Sequence, residues 1–213
     1  MTSGRPPVAF LLFFAVLLLG LLAFLGTTAF QALSGDGREA PRSFVEQLEA
    51  LPVVQEVETE TGRVAGSGGA RSLKSWVTLS PALTDDPDGA AAQLTGVTWG
   101  YDRSHWSVAG LGSTAEVSYR APMDQAPVLW WARSVAELAQ GDPQAALHCR
   151  ITDAALHCEV EAGDPQRARE ALAGVDASGL QPWLDDASPD EGERTGFSLT
   201  VGGHTLSDPA SVR

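Results

Sequence analysis

Apolar residues follow three different patterns along this chain, and each pattern occupies its own stretch. From Val8 to Phe30 the run VAFLLFFAVLLLGLLAFLGTTAF has no periodicity, and no charged residue falls between Arg5 and Asp36. At ~1.5 Å per residue the run spans about 35 Å, enough to cross a ~30 Å hydrocarbon core. A cleaved signal peptide competes with this reading, since Thr27 and Ala29 are small residues placed before a potential cut. Its apolar core would be only about 7–15 residues long, however, and its head would be more basic than one Arg. No Cys follows the run, which removes a lipoprotein anchor. The pattern predicts a cytoplasmic head (1–7), a transmembrane helix (8–30), a polar linker (31–42) and an external domain. Arg38 and Arg42 lie beyond the far end, so the positive-inside count does not orient the span. A head this short is most easily left in the cytoplasm.

The second pattern is helical. Val128, Trp131, Val135 and Leu138 recur at helical spacing after Asp124, a capping residue. Ser43–Leu51 reads the same way. Asp86-Pro87 and Asp164-Pro165 each combine an N-cap with proline at the first helical position, and Gly174 is a stop for the later helix. The third pattern is strand alternation, at Val53–Thr61, Ser72–Leu79, His105–Leu111, Ala115–Tyr119, Leu147–Ile151, Leu156–Val160 and Phe197–Val201. Asp153-Ala154 makes a tight turn between two of these.

The helices and strands repeat. The segment from Asp86 to Val97 and that from Asp164 to Val175 share D-P-x-x-A-x-x-x-L-x-G-V. Arg103 to Val108 matches Arg194 to Leu199, and Ser43 to Glu46 matches Ser134 to Glu137 more faintly. Three matches in one order indicate a duplication. With Ala115–Tyr119 as an opening strand, the second unit reads β-α-β-β-α-β, the ferredoxin-like split βαβ order. The expectation is an α+β protein: a transmembrane helix followed by two tandem ferredoxin-like units, 43–111 and 112–213. Each would be an antiparallel sheet with helices on one face.

Composition limits what such a protein does. Fourteen Lys and Arg face 27 Asp and Glu, a net charge of −13, which opposes binding to nucleic acid phosphates. Hydrophobic residues make up 44% of the 213, too many for a disordered chain. Arg outnumbers Lys thirteen to one, with Ala and Gly abundant, a bias of GC-rich bacterial genomes.

Candidate chemistry is sparse. Cys149 and Cys158 occupy Leu-His-Cys-Arg-Ile and Leu-His-Cys-Glu-Val, directly opposite if Asp153-Ala154 is the turn. Outside the cell they are expected to form a cross-strand disulfide rather than two buried thiols. Alternation sends His148 and His157 to the other face, so a metal site of two His-Cys pairs is not expected, and a His-only site has just Glu159 as a third ligand. The Thr84-to-Gly89 stretch fails the calcium-loop pattern, with Thr84 first and Thr95 twelfth. Gly66-Ser67-Gly68-Gly69 lacks the context of a phosphate loop, since Lys74 has no preceding Gly. No catalytic motif is present, and no cofactor is implied.

Two features suggest recognition. Trp130 lies about 200° from Val128 round its helix, away from the predicted buried stripe, where it either anchors a partner or meets the other half of the domain. An insertion from Asp176 to Glu193 carries Trp183, Asp185 and Asp186. The sequence therefore predicts a single-pass cell-membrane protein with a C-terminal extracytoplasmic domain. That domain is non-catalytic and engages another envelope or membrane protein; the alternative is a ligand- or ion-binding domain, and an enzyme ranks lower.

Overall fold

Strand alternation and turn chemistry produce four β-hairpins, and the helices are the connections between them. The computed structural model describes residues 39–63, 71–97, 101–120, 123–186 and 196–209. In chain order the elements are α1 (Glu39–Glu49), β1 (Val54–Arg63), β2 (Arg71–Leu79), a 3-10 turn (Pro81–Thr84), α2 (Pro87–Gly96), β3 (Tyr101–Val108), β4 (Thr114–Arg120), α3 (Gln125–Gly141), β5 (Ala146–Thr152), β6 (Ala155–Glu161), α4 (Pro165–Leu172), α5 (Leu180–Asp186), β7 (Gly196–Val201) and β8 (His204–Leu206). All eight strands form one sheet in sequential order, β1 to β8. Hairpin partners are antiparallel, and the strands joined through α2, α3 and α4 with α5 are parallel neighbours.

This corrects the expected pair of ferredoxin-like units. A split βαβ unit leaves a gap between its parallel strands and fills it with a later strand. Here each helix returns the chain to the adjacent position, so no gap is left. β4, read as the opening strand of a second unit, pairs with β3 on one side and β5 on the other and so joins the halves. Residues 43–213 make one compact unit. The apolar run 8–30 lies outside the described residues, and among those described no helix is long and apolar enough to cross a membrane.

The duplication nevertheless follows the elements one for one. α1-β1-β2-α2-β3-β4 is succeeded by α3-β5-β6-α4-β7-β8, with α5 added before β7. Asp86 caps α2 by accepting from Gly89 N at 2.9 Å, and Asp164 caps α4 by accepting from Gln166 N at 3.0 Å. Gly89 is needed for the first cap, because a Cβ there would overlap the Asp86 carboxylate. Ala90 and Leu94 on α2, like Ala168 and Leu172 on α4, are buried against the sheet.

All the inward-facing strand residues lie on one side. Val77, Trp106, Ala115, Cys149, Cys158 and Leu199 follow one another in register and are buried. The helices share that side, with α3 packed between α2 and α4. β4 and β5 run opposite to β2 and β3, while the chain keeps stepping the same way across the sheet. The α3 crossover must therefore have the opposite hand to those through α2 and α4. Parallel crossovers are almost always right-handed, and with every helix on one face a sequential sheet of hairpins cannot satisfy that rule throughout. The ferredoxin-like order can, which is why the element sequence favours it.

α3 is held on all but one narrow strip. Trp131 packs on Trp106 with ring centroids 5.8 Å apart, and Trp130 meets Phe197 edge-on at 5.5 Å. Arg133 ties α3 to α2, its Nε donating to Asp88 Oδ1 at 2.7 Å and its Nη2 to Oδ2 at 2.6 Å. These bonds hold the Asp88 carboxyl below the usual carboxylate range. A carboxylate of depressed pKa stabilises the fold above its unfolded value of about 3.9 and loses that contribution as pH falls through its folded value. Asp88→Asn should therefore narrow the difference in melting temperature from wild type as pH is lowered from about 6 to 3. A gap that is constant across this range would show that the pair is not what titrates.

Leu94→Ala and Leu172→Ala should each cost about 2–5 kcal/mol in chemical denaturation of the full chain, since each empties the same buried position under its helix. A silent Leu94→Ala beside a crippling Leu172→Ala would show that the two helices do not bear equally on the sheet.

Candidate functional site

Helices cover one face of the sheet; among the described residues none covers the other. That open face carries the even-numbered positions of β1, β2, β4, β5 and β7 and the odd-numbered ones of β3 and β6, and register lines them up across the strands. One row runs from Glu58 through Trp76, His105, Glu116, Arg150 and His157 to Ser198. The next runs from Thr78 through Ser107, Thr114, His148 and Glu159 to Thr200. From β3 to β7, together with Trp76, they line an open trough of about 680 Å³. A twisted sheet with one face bare makes such a concavity without any loop.

The side chains in the trough are oriented by cross-strand pairs, the unit of sheet stabilisation. Trp76 stacks on His105, with centroids 6.1 Å apart and 15° between planes. His148 Nδ1 lies 2.9 Å from Thr114 Oγ1, and its Nε2 lies 3.7 Å from Glu161 Oε2. His157 Nδ1 is 2.8 Å from Ser198 Oγ. Three of the four histidines in the chain thus stand on this face. Both hydroxyls meet their imidazoles at Nδ1, and Glu161 approaches His148 at Nε2. A hydrolytic triad uses the reverse order, hydroxyl at Nε2 and carboxylate at Nδ1. These pairs fix ring orientation. Among the described residues no three His, Cys, Asp or Glu side chains converge as a metal ion requires.

Trp76 is 40% exposed and is the exposed large hydrophobic residue of the described chain. The sequence contained its signal. In R-S-L-K-S-W-V-T-L, Leu73, Val77 and Leu79 share the buried face, which leaves Trp76 with Lys74 and Thr78 on the polar one. His105 follows the same logic on β3, where Ser104, Trp106 and Val108 are buried.

The residues singled out from the sequence fall elsewhere. Cys149 and Cys158 oppose each other in the β5–β6 register and are joined, Sγ to Sγ 1.99 Å and Cα to Cα 4.1 Å, on the buried face. A directly opposed pair this close is the non-hydrogen-bonded kind, where side chains approach most nearly. His148 and His157 leave the sheet on the opposite face from the sulfurs.

Trp130 is corrected. It is 2% exposed and packed on Phe197, because α3 is buried on several sides and not along a single stripe. Its indole cannot serve as an exposed anchor. Trp183 is likewise buried, on α5, a helix that occupies part of what the sequence suggests is an unstructured insertion. Asp185 and Asp186 are exposed at the end of α5, and Gln181 Nε2 donates to Asp185 Oδ1 at 2.8 Å. None of these four residues lines the trough. The Thr84-to-Gly89 stretch is a 3-10 turn and a helix cap, and the Gly66-to-Gly69 run lies outside the described residues.

In comparisons with protein-family models, with curated proteins and with solved structures, nothing matches this chain.

Proposed function

We propose that this is a membrane-tethered, non-catalytic interaction module whose open sheet face recognises another envelope protein. The observation that carries the reading is the uncovered face itself. Eight strands present ordered rows of Trp, His, Glu and Arg side chains, while the opposite face is closed by helices. A trough so open is suited to a protein surface; small-molecule sites are concave and enclose most of their ligand. The apolar run 8–30 supplies the tether in this reading. The Cys149–Cys158 bond supports an external placement, because disulfides persist in oxidising compartments.

A photo-reactive residue at Ser107, in the trough, should give a discrete crosslinked adduct in intact host cells. The same residue at Glu170, exposed on α4, should give none. Adducts from Glu170 alone, or equal smears from both positions, would remove the sheet face as the recognition surface. Protease added outside spheroplasts should digest the domain after Ala32; complete protection until lysis would reverse the topology.

A further inference from the structure

We propose that the Trp76 end of the open face docks a basic stretch of its partner, with one Lys or Arg side chain seated beside Glu58 on the indole face that His105 leaves free. This rests on the interaction-module reading above and names the partner's chemistry. Trp76 stacks on His105 on one side and remains 40% exposed. Glu58 is its direct neighbour across β1–β2, and Glu116 is the direct neighbour of His105 across β3–β4. Direct cross-strand neighbours have Cβ atoms about 5 Å apart, which puts Glu58 within reach of a cation on the indole, whereas Glu116 lies beyond His105. Neither carboxylate has a hydrogen bond or ion pair among the described residues. A cation over an indole face is attracted by the ring quadrupole, and the Glu58 carboxylate beside it adds to that attraction.

Charge decides between occupants. A chain of net charge −13 repels nucleic acid, anionic lipid and a second copy of itself, and attracts a basic segment. The shallow trough cannot enclose a free small cation, whereas a cationic side chain is positioned by the peptide that bears it.

The test uses the full chain in non-ionic detergent, labelled with 5-fluorotryptophan. Its six Trp signals are read by ¹⁹F NMR, with Trp76 assigned through Trp76→Phe. The probe is a synthetic decapeptide of alternating Arg and Ser. It should move the Trp76 signal saturably and leave the buried tryptophans in place. Glu58→Gln should weaken binding about threefold to tenfold, while Glu170→Gln on the helix side leaves it unchanged. An unmoved Trp76 signal overturns the proposal. So does an unchanged affinity in Glu58→Gln, or an equal response to a peptide with Glu in place of Arg. A crosslink from Ser107 beside an unmoved Trp76 would keep the docking face and remove its basic partner; loss of both would remove the interaction reading as well.

Discussion

A sheet eight strands wide exposes two large faces, and the helices among the described residues bury one. The helix on which that burial turns is α3. It touches Trp106 on β3 through Trp131 and Phe197 on β7 through Trp130, and so reaches across five strands with two adjacent side chains. Both indoles are buried, and among the described residues their N–H groups have no partner, a cost offset by the apolar area they cover. Gly141 allows the next helix to close in, because a Cβ there would press to 2.6 Å from the Ala171 methyl. Arg133 fastens the other flank through Asp88. Once α3 is placed, α2 and α4 have only the two sides of the same face left to fill.

The bare face follows from that allocation. Residues on it are not buried by a second layer, so they are selected for solubility and for pairing along the rows. Thr114 with His148, Ser198 with His157 and Thr200 with Thr205 each join neighbouring strands through side chains. These short polar contacts give the exposed side of the sheet some of the order that packing gives the other side. They also leave Glu58, Glu116 and Arg150 without protein partners among the described residues, although Glu116 and Arg150 are direct neighbours. A surface that only needed to stay soluble would gain by pairing those two charges.

Local elements were legible in the sequence because their determinants are local. Asp86-Pro87 and Asp164-Pro165 start helices through caps a few residues long, and Asp153-Ala154 sets the register that opposes the cysteines. Which strand lies beside which is a non-local matter. Nothing in the order helix, strand, strand, helix, strand states whether a crossover lands next door or one place further on, and the usual handedness rule pointed to the wrong choice. Trp130 was misplaced for a related reason. The helical wheel assumed a single buried stripe, whereas the exposed residues of α3 are confined to its ends and to Glu137 and Gln140. The narrowness of that polar strip in QAPVLWWARSVAELAQG was the available signal. β8 had one as well: Gly202-Gly203, with φ of +57° and +77°, is the pair that a two-residue hairpin turn demands. The open face was legible by strand parity but not as a site, since its rows are assembled from six strands or more.

The acidic edge of the sheet has to be understood together with that face. β1 is ten residues long and lies at the margin of the sheet, where unpaired backbone groups invite another strand. Glu56, Glu58 and Glu60 stand along it on the open side, and charged edge residues discourage such pairing. Edge protection alone does not require an exposed tryptophan on the adjacent strand. Trp76 beside Glu58 makes sense if the edge is closed to strand addition but the face beside it is open to a partner of opposite charge. The same carboxylates then perform both tasks: they keep like chains from adding to β1, and they draw a cation to the indole next to it.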